Sequence, residues 1–507
     1  MKKFLLIPSI MLSVASLYAS PQKFFVDAAS TASNPDGLSW QNAFTTITDA
    51  VSASYIGDTI LVKYGIYKES VAIPQELHIY GGFNGTESNS SQGNPAIYST
   101  ILDGDVLGDD VTLSQNNRTD DLSFLFMIYD QNGNGASSSV DGITFTHAYN
   151  NNDVNGGSGG ALIIKNYFSG GPSVFTTSCM VTRCKFLDNW ANSGGAAFIG
   201  STGDNNAVYA LIDKCVFINN TAMTGRGGAA FTYGYGGTQS LGAVQFTNCV
   251  FHGNTDPSTD IKSVIYGGAS ASTGIAQVIL INNTFFDNGA AAALVTNGSS
   301  VNGTIAMLTM KNNIVWNNDT ITPCAAVGLP SLGNNNYQAL FANNCTDGGF
   351  ANYAASNVTY DTPSHYSFNP MMVDPFNMNY TLQSLSQCIN HGDTAQVSPA
   401  YPDNYDLGGN DRFSGTSVDI GAFEYDLSSS VAEYHATGII NAFPNPATDF
   451  IVLQLNEKGL VEIYAADGRL VSSSEMPAGM NTLGISEYEA GIYILKAGSS
   501  VTKFIKQ

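Results

Sequence analysis

The chain has 507 residues, only 12% of them charged, and a formal net charge of −22. Such a surface repels nucleic acid and anionic lipid, so both are poor partners. With 52 Gly, 25 Tyr and 27 Phe, the composition suits a β-rich extracellular protein and not a disordered one.

Residues 1–19 read as a secretory signal. Lys2 and Lys3 supply the positive start, residues 4–17 the apolar stretch, and Ala19 a cleavage site. Pro8 and the serines keep this run below the roughly 20 apolar residues a membrane span needs, and no later segment is long enough to cross a bilayer. Phe24-Phe25-Val26-Asp27 reads as a strand. Within 43–54, Phe44, Ile47, Ala50 and Val51 fall at helical spacing, which predicts a short amphipathic helix. That helix would cover the open end of a stack of strands. Residues 59–63 and 77–80 read as further strands. Asp103, Asp105, Asp109 and Asp110 form an acidic loop whose hard oxygens suit Ca²⁺, without the regular spacing of a known calcium loop.

From residue 140 to 318 the chain repeats. The anchors Phe186, Phe217, Phe251, Phe285 and Val315 stand 31, 34, 34 and 30 residues apart. Three residues after them come Asn189, Asn220, Asn254, Asn288 and Asn318. Two before them come Cys184, Cys215, Cys249, Asn283 and Asn313. Apolar residues recur five and seven before. Phe145 opens the series, with Ala148 in place of the asparagine. Positions −7 and −5 share one side of a strand, as do −2 and the anchor, but the three-residue interval between the pairs forces a bend. Two strands meeting at a bend, an Asn turn and a Gly-Gly-Ala segment (as at Gly194-Gly195-Ala196) make one coil of a parallel β-helix. Coils stacked at about 4.8 Å would align Phe on Phe, Cys on Cys and Asn on Asn. A helical solenoid fails on the density of Gly, Asn, Thr and Val. Parallel in-register strands aim the three stacked thiols alike, so buried free cysteines are expected there. Cys324 and Cys345 are a possible disulfide outside the regular coils.

The ordered motifs of residues 24–105, among them Gly37-Leu38-Ser39-Trp40, Gly57-Asp58-Thr59-Ile60, Gly81-Gly82-Phe83-Asn84-Gly85-Thr86-Glu87 and Ile101-Leu102-Asp103-Gly104-Asp105, resemble the opening of secreted right-handed β-helix proteins of the pectin-lyase-like superfamily. The run from Asp374-Pro375-Phe376 to Gly421-Ala422-Phe423-Glu424-Tyr425 resembles the closing segment of the same proteins. The Phe-x-x-Asn and Gly-Gly-Ala alternation is also similar to repeats of polymorphic outer-membrane adhesins. Phe443-Pro444-Asn445-Pro446-Ala447, Asp467-Gly468-Arg469-Leu470, Ala490-Gly491-Ile492-Tyr493 and Lys503-Phe504-Ile505-Lys506 together resemble the C-terminal sorting domain of the type IX secretion system of Bacteroidetes. This last resemblance implies handling by the type IX machinery, passage through the outer membrane, and release or attachment at the cell surface.

The expectation is therefore an all-β chain in four parts. A signal at 1–19 precedes a right-handed parallel β-helix at 20–426, with regular coils over about 140–318 and an irregular closing segment at 319–426. A Ser-rich joint at 427–438 leads to an Ig-like β-sandwich at 439–507. A monomer is expected.

The repeat register also nominates outward residues. Positions −4, −3 and −1 bring together Arg183, Lys185 and Lys214 with Asp213 and Asp188 nearby. Three cations on adjacent coils of so anionic a chain could bind a uronate carboxylate or stabilise an enolate-like anion. Against this stands the favoured reading, a solvated edge where Lys214 and Arg183 pair with carboxylates for little energy. No paired-carboxylate column recurs, which argues against hydrolase chemistry. Trp190 and Trp316 face a turn or solvent, where an indole could stack on a sugar or merely shield the turn. His147, His252 and His365 show no ligand spacing and read as isolated. The insertion at 256–263 is the expected cleft wall. These features favour an exported protein that presents a rigid, adhesin-like face to a polysaccharide or host-surface glycan. A polysaccharide lyase or glycoside hydrolase, and a purely structural surface component, are the alternatives.

Overall fold

The computed structural model describes residues 20–507 apart from 112–113, 132, 134, 152–153, 167–174, 204, 236–239, 258–261, 271–273, 298–303, 319–324, 328–336, 348–357, 361–364, 395–402, 427–440, 444, 456–457, 467 and 498–499. The signal segment, the Ser-rich joint and Cys324 lie outside the described residues. The chain divides into two compact units, Met1–Tyr425 and Asp426–Gln507.

The first unit is a three-sheet parallel β-helix. Among the described residues its three main ladders hold eleven, ten and eight strands, and the regular coils contribute a strand to each in turn. One coil runs Asn206–Asp213, Val216–Ile218 and Ala230–Tyr235. Register is kept from coil to coil, with Phe186 opposite Phe217, Phe217 opposite Phe251 and Phe251 opposite Phe285. Those rings pile face to face inside the core, with centroids 4.6, 4.9 and 4.5 Å apart and planes within 10°. Phe145 begins the pile, 5.0 Å from Phe186.

The bend has a specific backbone cause. In seven successive coils the residue between the first and second strand is left-handed: Gly142, Arg183, Lys214, Asn248, Asn282, Asn312 and Asn343 all have φ between 48° and 70°. One αL residue reverses the side-chain alternation, which is why the repeat shows an interval of three. Two amide ladders close the turns. Asn189, Asn220, Asn254, Asn288 and Asn318 each accept, through Oδ1, from the asparagine of the coil before, or from Ala148 N in the case of Asn189. In the second ladder, Cys184 N and Cys215 N donate to the next sulfur at 3.4 Å, then Cys249 N and Asn283 N to amide oxygens at 2.9 Å. The thiols thus occupy Asn-type rungs, buried and free. Cys345 is buried too, with its Sγ 3.1 Å from Phe368 O.

Three boundaries differ from the sequence reading. The helix is Ile47–Ala53, because Thr46 caps it through Asp49 N while Phe44 bridges to Val26. The regular coils continue past 318: Tyr337–Ala342 and Asn344–Thr346 stay in register, and Asn344 Oδ1 accepts from Asn313 N. A Thr at the anchor position hid that coil. The closing segment does not trail off the end of the stack. It folds back along the outside, where Met372, Tyr380, Leu382, Ile420 and Ala422 pack on Val250, Phe286 and Ile314.

The second unit is an antiparallel β-sandwich. One sheet holds Asn441–Phe443, Phe450–Leu455 and Gly479–Gly484; the other holds Gly459–Ala465, Leu470–Met476, Gly491–Ala497 and Ser500–Lys506. Ile451, Leu453, Val461, Ile463, Leu495 and Phe504 fill its core. The strand Gly479–Gly484 had no legible alternation, being bounded and diluted by glycine.

Candidate functional site

The folded-back closing segment decides which outward residues meet solvent. Arg412, itself buried, donates Nε and Nη2 to Asn248 Oδ1 at 3.0 and 2.7 Å. Asn282 Nδ2 donates to Asp419 O at 2.7 Å, and Asn312 exchanges hydrogen bonds with the backbone of Asp393. Ala422 N donates to Thr284 Oγ1. Positions −3 and −1 of the later coils, expected outside, are therefore covered. Asp213 is also corrected: it is 1% exposed, and its Oδ1 accepts from Thr247 Oγ1 and Asn248 Nδ2. Burial pushes its carboxyl up from the ordinary value.

Where the cover stops, a groove of about 580 Å³ opens. Its floor carries Arg183, Lys185, Lys214 and Val216; its walls are residues 94–96 and 403–409. Of the expected wall at 256–263, none of the described residues (256, 257, 262 and 263) lines it. Instead, Asp256 turns inward and accepts from Gly227 N and Ser263 N, tying that loop to the third sheet. Arg183 forks onto Asp141, which holds its guanidinium charged. Lys214 pairs with the half-exposed Asp403 and lies 3.6 Å from Asp213. Lys185 is exposed and forms no ion pair among the described residues. Tyr405, 52% exposed, stands in the wall.

The backbone under these cations is unusual for its residue types. Among the seven left-handed bend residues, five are Gly or Asn, and the exceptions are Arg183 (φ 50°) and Lys214 (φ 53°). A long side chain with a Cβ in αL costs about 1 kcal/mol relative to Gly or Asn. The two departures fall on adjacent coils, and both line the groove.

The other expected site residues are placed as follows. Trp190 is half-buried and engaged: its Nε1 donates to Asp188 Oδ1 at 2.9 Å, and the Arg118 guanidinium lies 5.0 Å over its ring. Trp316 packs beside the closing segment and lines a smaller cavity of about 220 Å³ with Phe286, Asn317, Met372 and Phe376. His252 lies against Phe286, with ring centroids 5.8 Å apart. His365 is paired opposite Asn344 by its backbone. In the acidic loop, Asp109 is exposed, while Asp105 turns inward and accepts from the backbone N–H groups of Gly108, Asp109 and Asp110. Burial acts to raise the Asp105 carboxyl, but those N–H groups outweigh it and hold it below the ordinary value. Asp110 meets Asp121 and Arg118, which carried no signal in the sequence. Burial, with the charge of Asp110, pushes Asp121 up to about 8. His147 is not isolated: its Nδ1 lies 2.9 Å from Asp103 Oδ1, a bond that raises its pKa.

The strand ladders define a parallel β-helix protein, and comparison with known families supplies the export. Residues 441–507 match the family described as "Secretion system C-terminal sorting domain". The chain is thus a parallel β-helix protein with a type IX secretion sorting tail, which directs it to the cell surface or extracellular space. A search of curated proteins finds no match. Among solved structures, the pectate lyase Pel9A aligns at 14% identity over 80% of this chain and 97% of its own, with a TM-score of 0.38. XylC in complex with xylose aligns at 10% identity over 91% and 100%, TM-score 0.25. A tailspike protein gp49 from Acinetobacter baumannii bacteriophage Fri1, a capsular polysaccharide depolymerase, aligns at 8% identity over 96% and 82%, TM-score 0.22. Likeness at this level carries nothing about chemistry, and the architecture rests on the strand ladders themselves. No helix among the described residues is long and apolar enough to cross a membrane.

Proposed function

We propose that this exported protein binds an acidic polysaccharide, free or on a host surface, in the groove floored by Arg183, Lys185 and Lys214. The observation that carries the reading is the pair of cations held in left-handed bends where the five other left-handed bends of the regular coils use Gly or Asn. Local strain retained at one exposed point of a regular array is a mark of function. Lys185 offers an unneutralised ammonium, Arg183 a planar donor edge, and Tyr405 an exposed ring beside them. Cations with one aromatic suit carboxylate-bearing sugars, since the charge selects uronate and the ring face takes the apolar side of the pyranose. Asp213 is buried and already accepts two hydrogen bonds, so it supports the floor and does not serve as a base.

Calorimetric titration of the purified protein with oligogalacturonate and with a neutral oligosaccharide of equal length tests this. Binding of the acidic chain only, weakening with salt and lost in Lys185→Ala and Tyr405→Ala, is the expected result. No binding of any polyuronate, or binding untouched by both substitutions, would sink the proposal. Release of unsaturated products would replace it with a lyase.

A further inference from the structure

At the far ends of the second-sheet strands, away from the groove, the loop 104–125 folds over the turns that carry His147 and Asp188. The loop buries Arg118 completely. Its Nη2 donates to Asp188 Oδ2 at 2.8 Å, and its Nη1 lies 3.2 Å from Asp110 Oδ2 and 3.5 Å from Asp121 Oδ2. Six carboxylates converge here: Asp103, Asp105, Asp110, Asp120, Asp121 and Asp188. Facing them are Arg118, the partly exposed His147 and Lys68, whose ammonium is spent on the carbonyl of Asp105. Four of the six have donors of their own. Asp103 has His147, Asp105 has its loop N–H groups, Asp120 has Leu107 N, and Asp188 has Arg118 and Trp190.

Asp110 and Asp121 do not. Their side chains are 2% and 0% exposed, yet all four of their carboxylate oxygens lack a hydrogen-bond donor. One guanidinium nitrogen at over 3 Å from each cannot satisfy two buried anions. Ligand atoms of Asp105, Asp110 and His147 lie within 4.8 Å of one another, as do those of Asp105, Asp120 and Asp121.

The geometry points to a divalent cation site between Asp110 and Asp121, completed by Asp105 and Asp120, for a hard oxygen-seeking ion of the calcium class. Carboxylate oxygens dominate the set, which selects calcium over softer metals. Asp109, expected among the ligands, is outside it. Asp120 and Asp121 take its place because the loop doubles back through Arg118. The cation would hold the two arms of loop 104–125 together around Arg118, which ties the loop to the turn at Asp188, a structural role independent of the groove.

Terbium luminescence tests this, because Trp190 stacks on Arg118 and can sensitise an ion bound beside it. After exhaustive chelation, Tb³⁺ should give saturable emission on tryptophan excitation, competed by Ca²⁺ and lost in Trp190→Phe. Ca²⁺ should raise the thermal midpoint of the chelated protein. Asp121→Asn should weaken Ca²⁺ at least about tenfold, and Asp109→Asn should leave it unchanged. Should Asp121→Asn fail to fold, the parent protein still decides through the Trp190-dependent emission. No sensitised emission and no calcium-dependent midpoint, or full affinity in a folded Asp121→Asn, would mean that protons and Arg118 alone hold the two carboxylates.

Discussion

Replacing Asn254 by Ala removes one rung from the middle of the inner amide ladder. Its Oδ1 accepts from Asn220 N at 3.1 Å and Asn220 Nδ2 at 3.0 Å, and its Nδ2 donates to Phe217 O at 2.9 Å and His252 O at 3.2 Å. Asn220 and Phe217 are fully buried, so no water replaces what is lost. Stranding the two Asn220 donors costs about 1–3 kcal/mol each, or about 2–6 kcal/mol together. That is a large part of the stability of an ordinary domain. The paired control is Asn219→Gly, since the next coil already carries Gly253 at that left-handed position; it should change stability by less than about 1 kcal/mol. Urea unfolding followed by far-UV circular dichroism measures both. Because neighbouring coils stabilise one another, the Asn254→Ala midpoint should fall, with broadening as the array divides at that coil. A variant within about 1 kcal/mol of the parent would refute the view that the ladder holds the turns.

Three further outcomes are expected. Lys214→Asn should change stability by less than about 1 kcal/mol, because Asn suits the bend and the half-exposed Asp403 regains water when the pair is lost. The same variant should bind polyuronate severalfold more weakly, and a loss of stability above about 1.5 kcal/mol would contradict the account of the bend. Burial of Glu424 beside Arg412 pushes its carboxyl up to about 8. The folded state holds a proton that the unfolded chain releases near pH 4.5, so this contribution is present below that pH and lost as pH rises to about 8. Glu424→Gln should flatten the pH dependence of the melting midpoint over that window. Finally, Cys184 and Cys215 are buried and their thiols pushed well up by burial, so both should resist alkylation until the protein is unfolded, as peptide mapping by mass spectrometry can show.

The repeat was legible because a β-helix writes its contacts at a fixed separation. Phe186 meets Phe217 and Asn220 meets Asn254 since 31 or 34 residues return the chain to the same corner. The nomination of Arg183, Lys185 and Lys214 came from the same register, and the structure gathers all three in one groove. Asp213 went wrong because the register distinguishes inside from outside only for an uncovered coil. Of the acidic loop, Asp103, Asp105 and Asp110 sit in the carboxylate cluster, while Asp121 and His147 reach it from positions with no shared spacing.

Residue order alone thus determined the period, the identity of each interior column, the bend and the sorting tail, all of which depend on neighbours along the chain or one coil away. Tertiary structure alone decided which outer surface is free. Arg412 seals Asn248 from 164 residues downstream, and a contact made once at such a distance leaves no periodic trace. The groove likewise joins a floor at 183–216 to a wall at 403–409 that lies about 190 residues downstream.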